Sequence, residues 1–103
     1  MIEGVPLEDP ADYKKAIARI KRLWNEGYVT WTTHAQQRMI ERKIDILDIR
    51  KVIRYGQIVE HSCPGRLWRY RIDGSAVDGK RIGCVVEIDG QLIIITVINL
   101  RRR

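Results

Sequence analysis

The chain changes its hydrophobic period once, at Gly56, and this change constrains the fold more than any other feature of the sequence. Before Gly56, apolar residues recur at the three- and four-residue spacing of amphipathic helices. After Gly56, they alternate with polar residues or form short apolar runs, as β-strands do. Because the helices and the strands are separated along the chain, the pattern predicts an α+β fold with an antiparallel sheet.

Three helices are predicted before the change of period. The first covers about residues 10–26, with Asp9 as its N-cap and Pro10 at its first position. The second starts at Thr33, after a short β-branched strand with the sequence "YVTWT". Asp45 is the expected N-cap of the third helix.

The second half of the chain predicts a four-stranded antiparallel meander with the helices packed on one face. Its strands are "QIVEH", "RLWRYRID", "IGCVVEI" and "LIIITVINL", and the "DG" pair between the last two favours a tight hairpin. Alternation places Arg69 and Arg71 on one face and Tyr70 on the other. A slip of one residue would exchange these faces, so the face that the helices cover stays open. Trp68 is expected in the core.

The composition limits the class of protein. A chain of 103 residues is expected to be one domain over residues 1–103, and its net charge of +6 favours polyanions: nucleic acid, an acidic protein or a membrane surface. No apolar run is long enough to span a membrane, and the N-terminus lacks a signal-peptide pattern, which predicts a cytoplasmic protein without a membrane partner. The spacing of Cys63, Cys84 and His61 matches no zinc module, so neither a metal nor a cofactor is expected.

One short segment, "THAQQRMIER", carries a pattern that suits chemistry. His34, Arg38 and Arg42 are four residues apart, so they share one face of a helix. Cleavage of RNA without a metal requires a base, cations that stabilise the charged phosphorane, and an acid. Histidine titrates near neutral pH, arginine matches phosphate geometry, and Tyr70 can donate a proton or stack on a base. The alternative is structural: a histidine that caps the helix, and an Arg38–Glu41 pair on its surface.

Four stretches together carry a family resemblance: "VTWTTHAQQRMIERKIDILDIRKVI", "GQIVE", "WRYRI" and "RIGCVVEI…LIIITVI". They resemble the bacterial family named domain of unknown function 4258, over about residues 28–98. The resemblance implies a RelE-like fold and a compact toxin of the RelE and MqsR type. Such toxins often pair with an antitoxin that carries a zinc-binding domain, and several are thought to cleave messenger RNA. The chain departs from the family at Lys43, where a glycine commonly follows the Glu-Arg pair.

The leading hypothesis is therefore a metal-independent endoribonuclease, an mRNA interferase toxin of a bacterial type II toxin–antitoxin system. It would act on RNA, free or on the ribosome, and would bind a cognate antitoxin. The alternative is a non-catalytic basic module that binds nucleic acid or an acidic partner protein, to which the basic tail at residues 101–103 would add affinity. The candidate catalytic residues are His34, Arg38 and Tyr70, and the candidate RNA- or phosphate-binding residues are Arg42, Arg69, Arg71, Lys80 and Arg81.

Overall fold

The computed structural model describes residues 9–100, which form three helices and one five-stranded sheet. The α+β class predicted from the sequence is confirmed, whereas the basic tail at residues 101–103 lies outside the described residues. In chain order the elements are α1 (Tyr13–Glu26), β1 (Val29–Trp31), α2 (Thr33–Arg42), α3 (Ile46–Tyr55), β2 (Gln57–Ser62), β3 (Arg69–Ser75), β4 (Arg81–Ile88) and β5 (Leu92–Asn99).

The sheet has one strand more than the sequence predicted. Its order is β1-β5-β4-β3-β2, and β2 to β5 form the expected antiparallel meander. The short strand β1 joins the far edge, where it pairs in parallel with β5, with Val29 opposite Leu92 and Trp31 opposite Ile94. The sheet is therefore mixed, and the prediction of a wholly antiparallel sheet of four strands is wrong. A parallel pairing joins segments that are distant in the sequence, so no turn signal marks it.

Helix α1 begins at Tyr13, three residues after the predicted start at Pro10. Its N-cap is Asp12, whose side chain accepts a hydrogen bond from the Lys15 amide at 3.2 Å. The predicted cap, Asp9, instead accepts a hydrogen bond from the Ala11 amide at 2.9 Å, in the turn that precedes the helix. Both aspartates are suitable N-cap residues. Because Asp9 takes part in the preceding turn, Asp12 caps the helix.

Helix α2 is fixed to the sheet at its first turn. The Thr32 hydroxyl accepts a hydrogen bond from the Ala35 amide at 3.0 Å and donates one to the carbonyl oxygen of Ile95, in β5, at 2.9 Å. At the other end, Lys43 adopts the left-handed conformation, with φ of 56°, and closes the helix. A glycine has no steric cost in this conformation, so Lys43 performs the same C-cap with some backbone strain.

All three helices pack on one face of the sheet, as predicted. The buried residues of the helices and of alternate strand positions form one hydrophobic cluster, which includes Ile20, Ile53, Ile72 and Ile94. The strand residues between these positions lie on the opposite face and stay outside the cluster. In the described part of the chain, no helix has the length and apolar character that a membrane span requires.

The start of α3 contains Asp48, the one buried polar or charged residue in the part of the chain that the structure describes. One carboxylate oxygen of Asp48 accepts a hydrogen bond from the Asp45 amide at 2.9 Å, which completes a capping box with Asp45. The other oxygen accepts a hydrogen bond from the Val77 amide, also at 2.9 Å. Burial raises the pKa of Asp48, but the hydrogen bonds outweigh burial and the pKa lies below its ordinary value.

We expect the Asp48→Asn variant to be less stable at neutral pH by about 1–3 kcal/mol, because an amide nitrogen would face a backbone N–H donor. Since folding lowers the pKa of Asp48, the carboxylate contributes stability above its unfolded pKa, and this contribution is lost as pH falls through the folded pKa. Denaturant unfolding at neutral pH and below about pH 4 measures the difference. The exposed control, Asp89→Asn, should change stability little at either pH, and an equal loss in both variants would contradict the assignment.

Candidate functional site

Helix α2 carries His34, Arg38 and Arg42 on one face, here named the stripe on α2. Ala35 is fully buried and anchors the helix, while the neighbouring His34 is exposed. No other described residue bonds to the His34 side chain. The Arg38 guanidinium donates to the Glu41 carboxylate at 2.5 Å, and the two side chains are 36% and 55% exposed. Surface ion pairs of this kind contribute little to stability, so a phosphate can compete for Arg38.

The third member of the stripe, Arg42, holds a polar atom that lacks a partner. Its Nε atom is buried, and among the described side chains it is the one buried nitrogen or oxygen without a hydrogen bond. A buried, unpaired donor on a charged group is costly. This Nε atom is closed to solvent, so an incoming phosphate would bind to the terminal nitrogens of the guanidinium, whose planar geometry suits phosphate oxygens.

Arg69 and Arg71 lie on the face of the sheet that the helices leave uncovered, because they alternate with the buried residues Tyr70 and Ile72. The sequence had left open whether the helices cover the face that carries these two arginines. Both arginines are already paired within the sheet, however. Arg69 donates to Glu87 at 2.8 Å across β3 and β4.

Arg71 forms two hydrogen bonds with Asp73, each of 2.8 Å. This pairing raises the pKa of Arg71, and the Asp73 side chain is only 12% exposed. Because each arginine faces its own carboxylate, this face offers less free positive charge than the stripe on α2.

The remaining two predicted phosphate ligands lie near the turn between β3 and β4. Lys80 is half-buried, and its amide donates to the Asp78 carboxylate at 2.9 Å within this turn. Arg81 is exposed at the start of β4, opposite Ser75, and donates to the Ser75 hydroxyl at 3.4 Å. The predicted phosphate ligands are therefore distributed over α2, the uncovered sheet face and this turn.

Tyr70 belongs to an aromatic cluster on the helix-covered side of the sheet. It is 6% exposed, and its ring contacts Tyr13 and His61 with centroid separations of 6.4 Å in both cases. The Tyr13 hydroxyl and Nδ1 of His61 form a hydrogen bond of 2.8 Å. These ring contacts join Tyr70 to His61, the second histidine of the chain.

Sequence reasoning considered His61 only as a metal ligand and missed this cluster. His61 and Tyr70 are register partners in β2 and β3, and the alternation within a single strand does not reveal such a register. Trp68 was expected in the core, but its side chain is 43% exposed and stacks edge-on against His61 at 5.7 Å. That prediction is wrong because β3 begins only at Arg69, so Trp68 lies in the preceding loop.

The two cysteines differ in their surroundings. Burial raises the pKa of the Cys84 thiol to about 12, so it stays protonated and is no nucleophile. Cys63 is exposed. Within residues 9–100, no group of three or more histidine, cysteine, aspartate or glutamate side chains is arranged to hold a metal ion.

Of the comparisons with known proteins, one finds a family that matches the part of the chain in which the motifs lie. The model of the family described as "Domain of unknown function (DUF4258)" matches residues 31–99, about two thirds of the sequence. The chain therefore belongs to this family. The matched region runs from the end of β1 to the end of β5 and includes the stripe on α2. No curated protein and no solved structure matches the chain.

Proposed function

We propose that this member of the DUF4258 family is a metal-independent endoribonuclease, a toxin of a bacterial type II toxin–antitoxin system that acts on messenger RNA. The observation that carries the proposal is the stripe on α2. It combines an exposed histidine without a partner among residues 9–100, an arginine held only by a surface ion pair, and an arginine with an unpaired buried donor.

Each residue of the stripe has a role in the proposed reaction. Neutral His34 removes the proton from a ribose 2′-hydroxyl, and the 2′-oxygen attacks the adjacent phosphorus. Arg38 and Arg42 stabilise the charge that develops on the phosphorane oxygens. The bond to the 5′-oxygen breaks, this oxygen takes a proton from water, and the products are a 2′,3′-cyclic phosphate and a 5′-hydroxyl. Tyr70 has no part in this scheme because it is buried beside Tyr13 and His61.

The net charge of the chain and the chemistry of the proposed reaction support RNA as the substrate. The net charge of +6 attracts a polyanion, and a deoxyribose lacks the nucleophile that the reaction needs. The family resemblance adds a cognate antitoxin as the partner that restrains the activity. Whether the protein cleaves free or ribosome-bound RNA depends on surfaces outside the stripe.

One observation favours the second candidate, a basic module that binds nucleic acid without cleaving it. With Tyr70 buried in β3, His34 is the one predicted acid–base residue that stays exposed, and a binding surface needs no acid–base pair. This candidate predicts salt-sensitive binding of RNA with no cleavage products.

Induced expression in a bacterial host separates the two candidates. We expect the wild-type protein to arrest growth and to create new RNA 5′ ends, and we expect both effects to vanish in His34→Ala. Since His34 is exposed, this variant should accumulate to the same level as the wild type, which serves as the control. Soluble wild-type protein that causes neither arrest nor new ends would favour the binding module.

A further inference from the structure

Three depressions in the surface meet at Tyr55, the last residue of α3. Their volumes are about 440, 260 and 170 Å³, and Tyr55 borders all of them. The Tyr55 side chain is 75% exposed although it is large and aromatic. The three depressions surround Tyr55. Together they make a surface, here named the Tyr55 groove, that extends from the C-terminal half of α1 past α3 to β2, β3 and β4.

Apolar side chains line the groove beside Tyr55. Leu47, Val59 and Val77 are 53%, 45% and 61% exposed, although residues of these types are usually buried. Leu47 and Val77 line one depression with Tyr55, and Val59 lines the adjacent one. Single exposed apolar residues are common on protein surfaces, but a group of them around one exposed aromatic residue marks an interaction site. Their arrangement indicates a partner with apolar side chains of its own.

The charge of the groove indicates which charge a complementary partner carries. Among residues 9–100, the one carboxylate on its lining is Asp73, which already forms two hydrogen bonds with Arg71. Positive charge therefore dominates the groove, and an acidic partner is complementary to it. The cationic side chains on the lining are Lys21, Arg50, Lys51, Arg54 and Arg81.

The apolar residues favour a polypeptide over a nucleic acid. Single-stranded nucleic acids bind to aromatic side chains on which their bases stack. Tyr55 offers one exposed ring, Trp24 packs edge-on against Trp31 at 5.9 Å, and the other exposed apolar residues are aliphatic. The described lining therefore has no row of aromatic rings for successive bases. We propose that the Tyr55 groove binds an acidic amphipathic segment of a partner protein. This inference does not depend on the proposed ribonuclease activity.

Selection from a random peptide display library on the immobilised full-length protein tests the proposal. We expect enriched peptides to combine aspartate or glutamate with leucine, isoleucine or phenylalanine. A synthetic copy of an enriched peptide should bind Arg54→Glu and Tyr55→Ala at least about tenfold more weakly than the wild type, because charge reversal and loss of a central anchor both act at the groove. Both residues are exposed, so neither change should affect folding.

Matched controls isolate the groove. Lys14→Glu reverses an exposed charge on α1, and Ile40→Ala removes a side chain that is 79% exposed on α2, so both should bind the peptide like the wild type. His34→Ala should also bind normally, which separates this test from that of RNA cleavage. Peptides without an acidic bias, no enrichment, or affinity unchanged by the groove variants would overturn the proposal. A labelled single-stranded RNA that displaces the peptide, and that loses affinity in Tyr55→Ala, would assign the groove to RNA instead.

Discussion

Replacing His34 with alanine is expected to lower the rate of RNA cleavage by the purified protein by a factor of about 10²–10⁴, the usual contribution of a positioned general base. His34 is exposed on α2, so its removal creates no cavity and the free energy of unfolding should stay unchanged. Cleavage of a labelled single-stranded RNA under single-turnover conditions measures the rate, and denaturant unfolding of the same samples measures stability.

The second histidine provides the matched control. In His61→Gln, the hydrogen bond to the Tyr13 hydroxyl and the ring contacts with Trp68 and Tyr70 are altered, so stability should fall by about 1 kcal/mol. Cleavage by the folded His61→Gln protein should continue at the wild-type rate. If His61→Gln abolishes cleavage while His34→Ala cleaves normally, the chemistry belongs to the aromatic cluster and not to the stripe on α2.

Replacing Gly56 with alanine is expected to destabilise the protein by about 3 kcal/mol, at the upper end of the usual cost of overpacking. A Cβ atom at this position would lie 2.5 Å from the Val52 carbonyl oxygen and 2.6 Å from the Asp73 carbonyl oxygen. Both are backbone atoms, in α3 and in β3, so neither can rotate away as a side chain does. The close approach is shared with Gly74, whose own Cβ would lie 3.2 Å from the Gly56 Cα atom.

Thermal unfolding measures this effect, since about 3 kcal/mol corresponds to a decrease of roughly 12–24 °C in Tm for a domain of this size. Gly65→Ala is the control, because a Cβ atom there meets nothing within 4 Å and the backbone is not left-handed. Its Tm should stay close to that of the wild type. A Gly56→Ala protein as stable as Gly65→Ala would show that α3 and β3 do not pack as closely as described.

Elements with local signals could be predicted from the sequence, and contacts between distant elements could not. The Asp45 cap of α3 and the meander after Gly56 are both present, because capping side chains, glycines and alternation act over a few residues. The parallel pairing of β1 with β5 was missed because Val29 and Leu92 meet only in the folded chain. The start of α1 was misplaced because Asp9 and Asp12 are both able to cap.

In the candidate site, too, local features could be predicted and contacts between distant elements could not. The four-residue spacing of His34 and Arg38 places them on one face of α2 in any fold that keeps this helix. The partners of Arg69 and Arg71 could not be predicted, because Glu87 comes from another strand and the pairing depends on the register. For the same reason the sequence grouped Tyr70 with His34, whereas its ring lies against His61.

The chemical identity of the RNA ends tests the central claim most directly. Purified protein is incubated with a defined single-stranded RNA in the presence of a metal chelator, and the termini of the products are identified by mass spectrometry. The account predicts 2′,3′-cyclic phosphates and 5′-hydroxyls from the wild type, and intact RNA when the nucleotide at the cleavage site is 2′-deoxy. Intact RNA with folded wild-type protein, or products with 5′-phosphates and 3′-hydroxyls, would contradict it.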